Sequence, residues 1–157
     1  CIHEIDLARW YVGEVEEVFC VAKKLSSLEI ETEDVAILVC KHTNGSLSEI
    51  HLDYVQRSYE RGCQIVGEKG SIFWDYRDGV VKWFDAEQDS WLTFSQPHDW
   101  QTNQMYLDEM RHLLSCVQTR APTVFSIPEA VEVMKIALAA KVSARVGRFV
   151  SIGDIPL

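Results

Sequence analysis

The sequence predicts an α+β domain, a largely antiparallel open sheet with helices packed on one face. Short β-rich segments divided by turn residues occupy positions 15–94. Two long helical segments follow, near 101–118 and after Ser126. Strands first and long helices last pair the strands with their neighbours in sequence and lay the helices against the sheet. At 157 residues and 47% hydrophobic, the chain has the size of one domain with its own core, and 1–157 is read as a single domain.

Taken in order, residues 6–12 look like the end of a helix closed by Gly13 as a left-handed cap. Residues 15–24 form a strand, with Val15, Val18, Phe19, Cys20 and Val21 apolar. The polar, serine-containing stretch 25–33 is a loop. Residues 34–42 form the next strand, whose unbroken apolar run from Val35 to Cys40 implies burial on both faces. Thr43-Asn44-Gly45-Ser46 carries the chemistry of a tight hairpin turn. Residues 47–56 return as an alternating strand, with Ile50, Leu52 and Tyr54 on one face and Glu49, His51 and Asp53 on the other.

A meander of short strands comes next, at 61–66, 71–76, 80–85 and 90–94, separated by Gly67-Glu68-Lys69-Gly70, Asp78-Gly79 and 86–89. Its aromatic residues are most simply cross-strand packing pairs. In the helix at 101–118, Tyr106, Met110, Leu113 and Val117 share one stripe. Asp99 is placed to cap it. The last helix is announced by Ser126-Ile127-Pro128-Glu129, a capping box with proline in the first turn. Its expected buried stripe is Val131, Met134, Leu138 and Val142, and it ends before Gly147. Residues 148–152 form a final short strand.

The net charge of −9 repels phosphate backbones, so nucleic acid is excluded as a partner. The apolar runs fall short of the roughly 20 residues of a membrane span, so no membrane partner is expected. Five cysteines, widely spaced and without C-x-x-C, fit a reduced cytoplasmic protein with structural thiols and no metal.

Few residues offer chemistry. His3 lies at the mouth of the first helix, where a histidine suits proton transfer; it can equally be satisfied by local hydrogen bonds. Asp6, one turn on, shares its face and can orient it, or can complement the helix dipole. His51 with Asp53, and Glu49 with His51, share one strand face, but no further ligand is spaced to complete a metal site. Asp99, Trp100, Asn103 and Tyr106 gather at the head of a helix, where Trp100 and Asn103 can meet a polar ligand. Gly67 and Gly70 stand between two strands and do not make a dinucleotide loop. No P-loop, G-x-S-x-G or H-E-x-x-H occurs.

Several of these pieces together resemble the C-terminal domain of the Gfo/Idh/MocA oxidoreductases, the glucose–fructose oxidoreductase and inositol dehydrogenase group. They are His3-Glu4-Ile5-Asp6 with Trp10, Glu31-Thr32-Glu33-Asp34, Asn44-Gly45, and Gly67-Glu68-Lys69-Gly70-Ser71-Ile72. Asn103 with Tyr106 and Glu109, and the alanine-rich last helix, complete the set. The resemblance covers essentially the whole chain.

It implies a two-domain enzyme in which an N-terminal Rossmann domain, absent from this chain, binds NAD or NADP. This chain then supplies the substrate-binding surface and a sheet that forms the subunit contact. The implied reaction is oxidation or reduction at a hydroxyl-bearing carbon of a sugar, polyol or sugar derivative. The family's catalytic histidine falls on His3. Its lysine, and an aspartate four residues before the histidine, precede Cys1, so the isolated chain is expected to be inactive and to hold no cofactor of its own. Asp6, Trp100, Asn103, Arg57 and Arg61 are the expected substrate-binding residues, the two arginines for an anionic substrate or else for surface ion pairs. A homo-oligomer through the open sheet face is expected. The alternative is a non-catalytic sugar-binding or protein-interaction module that uses the same face.

Overall fold

The computed structural model of the protein describes residues 2–156; Cys1, the fifth cysteine, lies outside the described residues. The chain divides into two compact units, Cys1–Val55 with Pro122–Leu157, and Gln56–Ala121. The fold is α+β, and its strands form two four-stranded antiparallel sheets.

The first unit holds α1 (Ile2–Val12), β1 (Val15–Lys23), β2 (Val35–His42), β3 (Leu47–Asp53), α3 (Ile127–Val146) and β8 (Val150–Ser151). Its sheet runs β3-β2-β1-β8. Both α1 and α3 pack on this sheet and on each other. The core lies between, built from Ile5, Val18, Leu38, Cys40, Ile136 and Ala139 among others. Each large aliphatic side chain buried there contributes roughly 1.5–3 kcal/mol.

The strand β2 is not buried on both faces. Leu38, Cys40 and His42 face the core, whereas Ile37 on the other face is 43% exposed. Its apolar run therefore serves a half-open sheet. The alternation of β3 is as the sequence indicates, with Ile50 buried and Glu49 and His51 exposed.

In α3 the capping box is present, with Ser126 accepting from the Glu129 N–H and Glu129 accepting from the Ser126 N–H. Gly147 ends the helix at φ 70°. The buried residues are Val133, Ile136, Ala139, Ala140 and Ser143, not Val131, Met134, Leu138 and Val142. The helix is apolar on more than one side, so periodicity alone does not select the face.

Ser143 joins helix to sheet. Its hydroxyl accepts from the Cys20 N–H at 2.9 Å and donates to the Arg148 carbonyl at 2.6 Å. The register of β1 with β8 pairs Glu17 with Ser151 and Val18 with Val150. Continued two residues, it would set Cys20 against Arg148, so the hydroxyl bridges a ladder position where direct pairing has stopped.

The second unit holds β4 (Gly62–Gly67), β5 (Gly70–Asp75), β6 (Val80–Asp85), β7 (Ser90–Ser95) and α2 (Asn103–Thr119). The strands pair in sequence order, as the turn chemistry implies. Gly70 stands at φ 150°, and a Cβ there would collide with the carbonyl oxygen of Phe84. Phe84 and Trp91 are direct cross-strand partners with ring centroids 5.2 Å apart. Cys63, Ile65, Ile72, Trp74, Val81 and Trp83 share the opposite face.

Candidate functional site

His3 lies in the first turn of α1. It is exposed and makes no hydrogen bond among the described residues. Asp6, one turn on, is half-buried and forms no hydrogen bond to His3; its charge instead acts on Arg9. Trp10, 76% exposed, stacks on Tyr11 at 5.1 Å between ring centroids.

What fixes α1, and hence His3, is its far end. Gly13, at φ 118°, closes the helix by donating to the Arg9 carbonyl at 2.9 Å. The next three carbonyl partners come from one hairpin. Asn44 Nδ2 donates to the Val12 carbonyl at 2.7 Å, His42 Nδ1 lies 2.7 Å from the Gly13 carbonyl, and the Thr43 N–H donates to the Glu14 carbonyl at 2.9 Å. A carbonyl only accepts, so His42 carries its proton on Nδ1, and Nε2 accepts from the Ser48 hydroxyl at 2.9 Å. Arg9 adds a two-pronged ion pair to Glu14, both contacts at 2.7 Å; that hydrogen bond raises the Arg9 pKa further.

The loop after β1 is organised by Asp34, which is buried at the foot of β2. Its carboxylate accepts from the Ser26 hydroxyl and from the N–H groups of Leu25 and Ser26. Led by the Ser26 hydroxyl and the Leu25 N–H, these donors pull its pKa down to about 2.

The second unit contains a cleft of about 320 Å³ at the head of α2. Trp100 and Leu107 give it apolar walls, with Pro97 at the margin. Asp99, Gln101, Asn103 and Gln104 bring a carboxylate and three amides to the same space. The structure thus brings Trp100 and Asn103 together. Asp99 is not the helix cap: Thr102 occupies that position, with helical dihedrals and no side-chain capping bond. Pro97 accepts from the Trp100 N–H at 3.1 Å, so the chain turns before the helix starts and Asp99 is left to the cleft.

The helix α2 differs from its sequence reading in one further respect. Tyr106, Met110, Leu113 and Val117 are exposed, at 57%, 54%, 47% and 69%, and Cys116 is the buried residue. The arginines lie elsewhere in the unit and do not line the cleft. Arg57 is exposed in the segment before β4. Arg61 sets its guanidinium 5.6 Å from the rings of both Trp74 and Tyr76, a cation–π arrangement. His3 and Asp6 belong to the first unit, and Arg57, Arg61, Trp100 and Asn103 to the second.

Sequence reasoning missed Gln101, Gln104 and Leu107. Gln104 carried a signal in its i+4 spacing to Asp108. Gln104 Nε2 donates to Asp108 Oδ1 at 2.8 Å, and Arg111 Nη1 donates to the same oxygen at 2.7 Å.

Among the described residues no group of three His, Cys, Asp or Glu side chains is placed to hold a metal, and no helix is long and apolar enough to cross a membrane. Among the described residues both sheets are antiparallel, so no parallel strand–loop–helix crossover is present, and Gly67 and Gly70 sit at the β4–β5 turn.

Residues 1–73 match the model of the GFO/IDH/MocA C-terminal domain. Over that segment the chain is similar to the GFO/IDH/MocA C-terminal domain. It is 28% identical over 162 residues to the myo-inositol 2-dehydrogenase of Thermotoga maritima, covering 98% of this chain and 48% of that relative. It is 32% identical over 99 residues to the inositol 2-dehydrogenase of Rubrobacter xylanophilus, covering 58% of this chain and 28% of the relative. The chain therefore spans less than half the length of the curated relatives it matches. Levoglucosan dehydrogenase, solved with NADH, superposes with a TM-score of 0.84 at 18% identity, covering 98% of this chain and 49% of that one. That likeness shows a shared fold.

Proposed function

We propose that this chain is the substrate-binding and subunit-contact part of an NAD(P)-dependent dehydrogenase acting on a hydroxyl-bearing carbon of a sugar or polyol. The observation that carries it is His3, exposed and unbonded among the described residues, inside the segment that matches the GFO/IDH/MocA model. The inositol dehydrogenase relatives, and the structures of levoglucosan dehydrogenase with levoglucosan and with L-sorbose, support this substrate class.

In this reading His3 is the general acid/base. It takes the hydroxyl proton through a free ring nitrogen, while the hairpin bonds to Val12, Gly13 and Glu14 hold its helix in place. The nicotinamide supplies redox chemistry and is held by chain outside these 157 residues, as are the lysine and aspartate partners of the histidine. Asp6, Trp100, Asn103, Arg57 and Arg61 remain its candidate substrate-side residues. The isolated chain is then inactive, and NAD(P)H formation by it above a His3→Ala control would overturn that.

The subunit contact is assigned to the outer face of the first sheet. Phe19, Val21, Ile37 and Val39 form its apolar centre, rimmed by the Glu17–Lys41 ion pair at 2.8 Å and by His51 with Asp53. An apolar centre inside a polar rim is the anatomy of a protein interface. Light scattering at micromolar concentration is expected to give a dimeric mass that falls to monomer in Ile37→Lys. A monomeric wild type would count against it. The mostly buried cysteines Cys20, Cys40, Cys63 and Cys116, none of them in a disulfide among the described residues, support a cytoplasmic location.

A further inference from the structure

We infer that the cleft at the head of α2 selects a neutral polyhydroxylated ligand and rejects anionic ones, with Asp99 and Gln104 as its specificity residues. This rests on the dehydrogenase reading above and narrows its substrate class.

The cleft is lined by one carboxylate, three amides, a tryptophan, a leucine and a proline, and by no cation. A carboxylate accepts hydrogen bonds and donates none, so Asp99 prefers adjacent hydroxyls, which can give it two bonds at once. An anion of a sugar acid or a sugar phosphate would meet that carboxylate with no cationic side chain in the lining, and only the partial positive charge of the α2 N-terminus to offset it. The arginines that an anionic substrate would need are elsewhere in the same unit, Arg61 held against Trp74 and Tyr76. Trp100 offers an aromatic surface with a polar edge, suited to a ring that is apolar on its C–H face and hydroxylated at its rim.

Gln104 adds orientation. Its amide nitrogen is engaged by Asp108, which Arg111 holds on the same oxygen. The amide therefore cannot flip without setting oxygen against oxygen, and its carbonyl remains as an acceptor. Asp108 is a positioning residue that acts through Gln104. The result is two acceptors, on Asp99 and Gln104, in one cleft beside an aromatic wall.

The test is isothermal titration of the complete protein with D-glucose and myo-inositol as neutral probes and D-glucuronate as the matched anion. Wild type is expected to prefer glucose over glucuronate by about tenfold or more, and Asp99→Asn to shrink that ratio by about tenfold. Gln104→Ala is expected to weaken both neutral probes. Asp108→Ala should follow it, while Asp108→Asn, which keeps an oxygen for the Gln104 amide, should restore binding; thermal melts report that each variant is folded.

Glucuronate binding as tightly as glucose, a ratio unmoved by Asp99→Asn, or no binding of either neutral probe would overturn the assignment. Polyol-dependent NAD(P)H formation is followed in parallel. A protein that oxidises polyols with selectivity unchanged in Asp99→Asn refutes the cleft and leaves the dehydrogenase reading standing. One that oxidises none removes both.

Discussion

Ser143→Ala removes one buried oxygen and strands two backbone groups. The hydroxyl is fully buried and is the hydrogen-bond partner of the Cys20 N–H at 2.9 Å and the Arg148 carbonyl at 2.6 Å. A buried polar group left without a partner costs about 1–3 kcal/mol. The two stranded groups cannot bond each other directly, because the hydroxyl occupied the space between them. The two losses together therefore predict a destabilisation of about 2–6 kcal/mol for the first unit, a large share of the 5–15 kcal/mol that holds a typical domain. Denaturant unfolding followed by far-ultraviolet circular dichroism measures the loss, and amide exchange at Cys20 localises it. A Ser115→Ala control, at an exposed site, is expected to change stability by less than about 0.5 kcal/mol. If Ser143→Ala lost no more than that control and the Cys20 amide kept its protection, the bridge between α3 and β1 would not be structural, and the reasoning would be wrong.

Asp34 predicts an acid transition confined to one loop. Its pKa is depressed from the model-peptide 3.8 to about 2 by the donors of Ser26 and Leu25, so its contribution is complete above 3.8 and is lost as pH falls towards 2. Protection of the Leu25 and Ser26 amides, measured relative to the intrinsic exchange rate at each pH, should fall in that window in wild type. It should already be low at neutral pH, and unchanged across the window, in Asp34→Ala; wild-type protection that does not change with pH would contradict this. Burial pushes the Cys40 thiol up to about 11 and also raises Cys20. Alkylation at pH 8 is therefore expected to spare both in the native protein and reach both in denaturant; native labelling of Cys40 at the rate of a free thiol would refute its burial.

Features set by local chemistry were legible in the sequence. The turn at Asn44-Gly45, the stop at Gly13 and the capping box from Ser126 to Glu129 depend on a few adjacent residues, and the structure has all three. Features set by partners far along the chain were not. The division into two sheets depends on which strands pair, and hydrophobic alternation within each strand is the same either way. The buried stripe of α3 was misplaced because the helix is apolar on several sides. The Val35–Cys40 run looked doubly buried because an apolar outer face and a covered one share the same sequence. The cleft was half visible: Trp100 and Asn103 stood out as a cluster, while Gln104 matters through a carbonyl whose orientation Asp108 and Arg111 decide.

The central claim is that His3 moves the substrate proton. The most direct test is kcat of the complete protein on a polyol, wild type against His3→Ala, with circular dichroism to show that α1 is retained. The account predicts a loss of about 10²- to 10⁴-fold in kcat. A His3→Ala protein that keeps wild-type kcat would contradict it and turn attention to this chain as a binding or assembly module.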